Sequence, residues 1–485
     1  MCFTRSLNQQ ELSAAMKMLE LYMGWRPNNP PEVAQYGGLE GFPFDRTNKS
    51  GRSYTEDLNM KLLNHLAFCL ARGTPGHVPA VVFTDMDRTH LHIALNSSPD
   101  SIDRQFSHEL FQTLSTLSPD HNISYQDVLE KLRGHGLQNL KSRMWKVSKS
   151  LIDKKDVDKH SRLLQALLKR IQPGNTGSKL YSGRVNNSKI PEWHILKDED
   201  DFKGIDGSSV SEILKHMLIT TFNWAKSCTQ LSEVQVPEAK ELKRTSMIAH
   251  VLSGTSLLKE ALADSDAWLE NARTTFARRL RKMGECWDGI QFVVDWAQGV
   301  QAQNRKIEHS WVMDSGLELN ADSFSLGPDP KALLKDLLGG KALDEATLDT
   351  IFKGWSKRAG AMVAPKVHAE IRLILDLSSK KPDPGLHVIG CSKRSCLACF
   401  VWIEVYNEIN GTHWMTAGSH SKPYAAWGIP AQSPDVAKEV NHRIVVLLDQ
   451  FLGIEKIVQV LEPPASDDDN SSPGAAAVQD ATGSR

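Results

Sequence analysis

The chain has 485 residues, 40% of them hydrophobic and 24% charged, which is enough to fill one large core or two to three ordinary ones. Its 57 Lys and Arg against 58 Asp and Glu leave a formal charge of -1. That balance excludes a global field drawing the protein to nucleic acid or to a membrane, so any such attraction has to be local.

Neither end reads as a charged segment followed by an apolar run and a small-residue cleavage site, and no stretch reaches the roughly 20 apolar residues of a membrane span. An intracellular address, cytoplasmic or nuclear, is therefore expected, with no membrane partner. Four of the seven cysteines, Cys2, Cys69, Cys228 and Cys286, lie far apart, whereas Cys391, Cys396 and Cys399 crowd together. An odd count without a paired framework argues for reduced thiols, a metal-binding cluster and no disulfide-linked partner.

In chain order, residues 1–77 read as a helical N-terminal segment. Leu12 to Gly24 and Glu56 to Arg72 carry amphipathic spacing, and a loop rich in Pro, Gly and Asn from Pro27 to Arg52 separates them. At 78–97 the spacing changes to period two: Val81 and Phe83, then Leu91, Ile93 and Leu95, flank the turn-like Asp85-Met86-Asp87-Arg88 and predict a β-hairpin. Residues 98–364 are mostly helical in pattern, with apolar steps of three and four in Phe106 to Leu117, Val128 to Leu140, Leu163 to Ile171, Ile213 to Phe222 and Phe276 to Trp296. A polar loop from Pro173 to Ser188 interrupts them.

Within this region Lys141 to Arg170 is locally basic. Two readings stay open for it, a solvated helix face and a surface contacting phosphates. A further helix is predicted over Leu343 to Ala359.

Residues 365–462 alternate helix and strand, as in a layered α/β unit. A helix runs from Val367 to Leu377 with Pro365 marking its start, a short β-like run covers Leu386 to Gly390, a helix covers Cys396 to Ile409, and a short strand covers His413 to Ala417. Val436 to Leu461 closes as one or two amphipathic helices, and the composition of 463–485 predicts a disordered tail.

Chemistry concentrates in His368-Ala369-Glu370 and Cys396-Leu397-Ala398-Cys399. Ser395 is expected to cap the helix that the cysteines open, where unpaired N–H groups and the helix dipole favour thiolate, the form that binds zinc. Cysteines three apart on one turn can reach the same ion. His368 as third ligand leaves a tetrahedral position for water, the arrangement of a catalytic zinc. Glu370, two residues on, diverges from His368 on a helix and is free to move a proton between that water and a leaving amine.

Rival readings exist for the same residues. Cys396, Cys399, His413 and His420 imitate a structural zinc finger, although six residues between the histidines exceed the usual spacing. Cys391, Cys396 and Cys399 match the start of a plant-type iron-sulfur pattern, but no fourth cysteine follows. Cys391 reads instead as a buried residue ending a strand.

His-Ala-Glu followed by Ser-Cys-x-x-Cys resembles the H-x-E and P-C-x-x-C signature of the zinc nucleobase deaminases. It is most similar to the fungal AID/APOBEC-like deaminases, over about Lys366 to Pro430. The resemblance implies a cytidine-deaminase-like three-layer α/β fold, with a central mixed sheet flanked by helices. It also implies one zinc ion held by His368, Cys396 and Cys399, Glu370 as catalytic proton shuttle, and hydrolytic loss of ammonia from cytosine or adenine in a nucleoside, nucleotide or single-stranded nucleic acid. Ser395 stands where the family usually has proline. The family's opening hairpin is not found just ahead of His368, so the resemblance assigns it to 78–97, displaced by the helical insertion 98–364. On that assignment Asn96 matches a sugar or base contact. Ser395 and the segment Gly418 to Tyr424, with His420, Tyr424 and the following Trp427, resemble the family's substrate side. The competing expectation is a noncatalytic zinc-stabilised interaction or nucleic-acid-binding module.

Overall fold

The computed structural model describes residues 7–25, 53–152, 160–171, 196, 202–205, 210–230, 238–262, 266–313, 322–327, 329–338, 345–353, 355, 362–378 and 387–452. The loops expected at 27–52 and 173–188, residues 153–159 of the basic stretch, residues 453–461 of the last predicted helix, and the tail at 463–485 lie outside the described residues.

Helices α1 (Gln9–Trp25) and α2 (Tyr54–Leu70) precede strands β1 (Ala80–Phe83) and β2 (His90–Ala94). Next come α3 (Ser101–Ser115), α4 (His121–His135), α5 (Leu137–Leu151), α6 (Arg162–Arg170), α7 (Val210–Gln230), α8 (Ala239–Gly254), α9 (Ser256–Lys259) and the long α10 (Ala267–Ala302). β3 (Glu308–Trp311), β4 (Phe324–Ser325), α11 (Pro330–Leu337), α12 (Glu345–Phe352) and β5 (Met362–Val363) lead to the C-terminal unit. That unit holds α13 (Ala369–Ser378), β6 (Ile389–Cys391), α14 (Leu397–Asn410) and α15 (Pro434–Leu452).

The main sheet is small and mixed, in the order β3-β2-β1-β6. β1 and β2 form an antiparallel hairpin with Val81 opposite Ile93, turned by Arg88 in the left-handed region (φ 58°) and by the Asp85 carboxylate, which accepts the N–H groups of Thr89 and His90. β6 pairs antiparallel to β1, placing Cys391 opposite Ala80, and parallel bridges then tie Val388 to Met415 and Ser395 to Ser419. The hairpin and the cysteine-bearing segment, some 300 residues apart in sequence, are thus neighbours in one sheet.

Residues 98–364 are not helical throughout. β3 joins the sheet edge parallel to β2, with Ser310 opposite His92. Its sequence, Glu-His-Ser-Trp, lacks the apolar alternation by which a strand is read. The predicted helix over 128–140 is two helices, broken where the Gly136 N–H folds back to the Leu132 carbonyl.

Alternation along β1 and β2 sends side chains to two cores. Val81, Phe83, Leu91 and Ile93 face a cluster built with α2 to α10, while Ala80, Val82, Ala94, Ile389 and Cys391 face one built with α1 and α11 to α15. Both faces of the sheet are therefore covered by helices. α2 lies so close on β6 that a Cβ on Gly390 would stand 2.1 Å from the Leu63 backbone, so only glycine fits there. Among the described residues, no helix is long and apolar enough to cross a membrane.

Candidate active site

The site lies on the second face of the sheet, where α13 and α14 begin. The His368 carbonyl accepts the N–H groups of Ile371 (3.1 Å) and Arg372 (3.0 Å), which starts α13 four residues beyond Pro365. The Ala369 N–H, one of the donors left over at any helix start, is taken by Asn96 Oδ1 at 2.9 Å from the end of the hairpin. β2 holds the other end of α13 as well: His92 Nε2 lies 2.7 Å from Asp376 Oδ2, and His92 Nδ1 lies 2.7 Å from the Ser310 hydroxyl. The alternating histidines of His90-Leu91-His92 are the sequence signal for this tie, and sequence reading passed over them.

α14 is capped by Cys396 rather than by Ser395, which corrects the expectation from sequence. Cys396 has the extended backbone of a cap (φ -76°, ψ 171°), and its sulfur accepts the Cys399 N–H at 3.4 Å. Ser395 is engaged elsewhere: it is buried, its hydroxyl bonds Thr416 at 3.2 Å, and its main chain pairs with Gly418 and His420. It presents no free hydroxyl to a substrate and instead fixes the loop 418–420 against the helix start.

These two helix starts bring three donors together. His368 Nδ1 stands 3.6 Å from Cys396 Sγ and 3.2 Å from Cys399 Sγ, and all three donor atoms lie within 4.8 Å of one another. A nitrogen at about 2.0 Å and a sulfur at about 2.3 Å from one tetrahedral zinc stand about 3.5 Å apart, so the group has the spacing to hold such an ion. Among the described residues no fourth His, Cys, Asp or Glu joins it. His413 is exposed and outside the group, which removes the zinc-finger reading. Cys391 is outside it too: its N–H is held by Asn64 Oδ1 at 2.9 Å, and burial raises its thiol well above the ordinary value.

The electrostatics of the trio are uneven. Burial opposes ionisation of Cys396, but its hydrogen bond with Cys399 and the charge and hydrogen bond of His368 bring it down to about 6. Cys399 goes well above its usual value, through burial first and then through the hydrogen bond and charge of Cys396. Burial likewise opposes charge on His368, yet the Cys396 thiolate raises it overall. Of the two sulfurs Cys396 is thus the one that ionises more readily, and the pair with the imidazole is a donor set suited to a soft divalent cation.

Glu370 lies in the first turn of α13, 4% exposed. Its charge acts on Cys396, Cys399 and His368, yet its carboxylate stands outside the group of mutually close donors.

Around the opening, Tyr424 is 42% exposed, its ring 6.4 Å from that of His368 and 5.8 Å from that of His420. Burial, followed by the charges of Lys422 and Arg394, lowers His420 to about 4. It is therefore neutral near pH 7, and its Nδ1 accepts the Lys422 N–H at 3.1 Å. Trp427 does not line the opening: it is 0% exposed within the apolar cluster and offers no face to a base, a second correction. Its main chain explains the burial, since 426–428 pair with Lys366 and clamp the approach to His368.

No curated protein and no solved structure matches the chain. A family model described as "OTT_1508_deam:-like deaminase" matches residues 367–431. That span includes His368, Glu370, Cys396 and Cys399, and the segment carrying the candidate metal donors is similar to a deaminase-family domain, set in an α/β structure that is mostly helical with a small mixed sheet.

Proposed function

We propose that the chain is a zinc-dependent nucleobase deaminase of cytidine-deaminase-like, three-layer architecture, related to the fungal AID/APOBEC-like deaminases. On this reading residues 365–462 form the core, the hairpin 78–97 opens its sheet, and 98–364 are an accessory insertion. The convergence of His368, Cys396 and Cys399 beside the separate carboxylate of Glu370, within the segment matched by a deaminase family, carries the proposal.

The three donors would hold zinc, which when bound supplies Lewis acidity and lowers the pKa of water towards about 7. The residues of the chain do the rest. Glu370 takes a proton from the attacking water at a carboxylate oxygen and delivers it to the amine. Water enters at the amine-bearing ring carbon, ammonia leaves, and the exocyclic C–NH2 of cytosine or adenine becomes C=O. Asn96, fixed by the Ala369 N–H through its oxygen, has its amide N–H groups left to donate to a sugar or base. Tyr424 supplies an aromatic face at the opening.

Replacing Glu370 by Gln keeps size and removes the basic oxygen. Ammonia release from cytosine- or adenine-containing substrates is expected to fall by roughly 100-fold to 10,000-fold while metal content stays unchanged. Undiminished turnover in that variant would overturn the assignment.

A further inference from the structure

The basic stretch of the sequence divides in two. Arg162 and Arg170 on α6 are paired with Asp266 (3.0 Å) and Glu260 (2.6 Å), as on an ordinary solvated face. The α5 half is different. α5 and α10 lie side by side, Arg279 donating to the Lys146 carbonyl and to the Ser150 hydroxyl, each at 2.8 Å. After burial, the charge of Arg143 lowers Lys282, Glu285, which is paired with Arg143 at 3.5 Å, raises it, and Arg278 and Lys146 lower it further, so four cations share one patch with a single carboxylate acting on Lys282.

The patch continues to the candidate site. Burial and then Lys146 lower Lys393, on the loop leading into Cys396. Arg394 and Lys422 follow, both acting on His420, whose ring meets Tyr424 beside His368. Lys146, Arg278, Lys282, Lys393, Arg394 and Lys422 are exposed, and among the described residues none has a carboxylate within salt-bridge distance. In a chain of net charge -1, unbalanced cations held this close repel one another, and a row of phosphates relieves that repulsion. On the same surface of α5, Trp145 is 43% exposed, with Lys149 Nζ 3.6 Å from its ring centroid, the pairing of aromatic face and cation used to stack bases along a strand.

We infer that the α5–α10 face is a binding track for a single-stranded polynucleotide, its phosphates running from Arg278 and Lys282 past Lys146 and Lys393 to the opening at Tyr424, where one base turns inwards. The inference rests on the deaminase reading for what lies at the end of the track. A single strand fits because Cys396, Cys399 and Glu370 are buried and His368 is half-buried, and a base stacked within a duplex cannot reach them.

The test is fluorescence anisotropy of the full chain with a labelled 20-nucleotide single strand, as DNA and as RNA of the same sequence, so that the two arms distinguish the sugar. With about five phosphate contacts, affinity is expected to fall roughly 100-fold between 50 and 200 mM salt. The combined variant Lys146→Glu, Arg278→Glu, Lys282→Glu should bind at least about tenfold more weakly, with a salt slope shallower by about two. The corresponding set of three Gln substitutions gives the same readout if charge reversal disturbs folding. A parent chain that binds neither strand at 50 mM salt, or folded variants that bind like the parent, overturns the inference. Because binding is read without turnover, a chain that binds with the expected slope but releases no ammonia supports the track and sinks only the deaminase reading. One that deaminates free nucleosides yet binds no strand does the reverse.

Discussion

The two helix starts that meet at the candidate site are built in opposite ways. α14 is capped from within, by the sulfur of the candidate metal donor Cys396, whereas α13 is held from outside, by Asn96 at its first turn and by His92 at its last. In α14 candidate ligand and cap are one side chain, so on the proposed reading metal binding and helix geometry cannot be separated there. In α13 the helix that carries His368 and Glu370 can be loosened without touching a donor. The contrast shows how a site made of short local motifs comes to depend on a hairpin almost 300 residues upstream.

The largest effect is expected where the two roles coincide. Cys396→Ala removes a donor and a cap together and should abolish metal retention, read as metal content after dialysis, with a further loss of about 1 kcal/mol of helix stability. A variant that keeps a full complement of metal would separate the two functions and break the comparison.

A pH dependence sharpens it. Cys396 is lowered in the folded chain from 9.0 to about 6. A lowered thiol contributes stability in full above the unfolded value and loses it as the pH falls through the folded one. The metal-free protein should therefore melt at progressively lower temperature as the pH falls from 9 until His368, which the same thiolate raises above 6.5, takes up its proton; below that point the two groups offset each other and the trend levels off, and Cys396→Ala should flatten its upper part. Cys399, which is raised, acts in the opposite sense and only above pH 9. A parent whose stability relative to Cys396→Ala does not fall as the pH drops from 9 towards the His368 range contradicts the assignment of the thiolate to Cys396.

The smallest effect belongs to the outer support. Asn96→Ala leaves the Ala369 N–H without its acceptor and should cost about 1 kcal/mol in denaturant unfolding, with metal content kept and turnover reduced as Glu370 loses its fixed position. Unchanged stability would mean that α13 does not need the hairpin.

The meeting of the three candidate donors was legible in the sequence because helix starts and a three-residue cysteine spacing are local, and the hairpin was legible through its alternation. Other features were not. Asn96 acts across 273 residues of sequence, β3 is a polar strand with no apolar rhythm, and Trp427 shares its residue type with a stacking platform although its main-chain pairing buries it. The choice of Cys396 over Ser395 as cap turned on which group had another partner, and Thr416, which takes the serine hydroxyl, lies 21 residues away in sequence.

X-ray absorption at the zinc edge of the purified full chain reads the donor set itself. The account predicts one zinc per chain with two sulfurs at about 2.3 Å and two lighter atoms at about 2.0 Å, one of them exchangeable on addition of substrate. A chain without zinc, or an ion surrounded by four protein donors, contradicts it and leaves at most a zinc-stabilised interaction module.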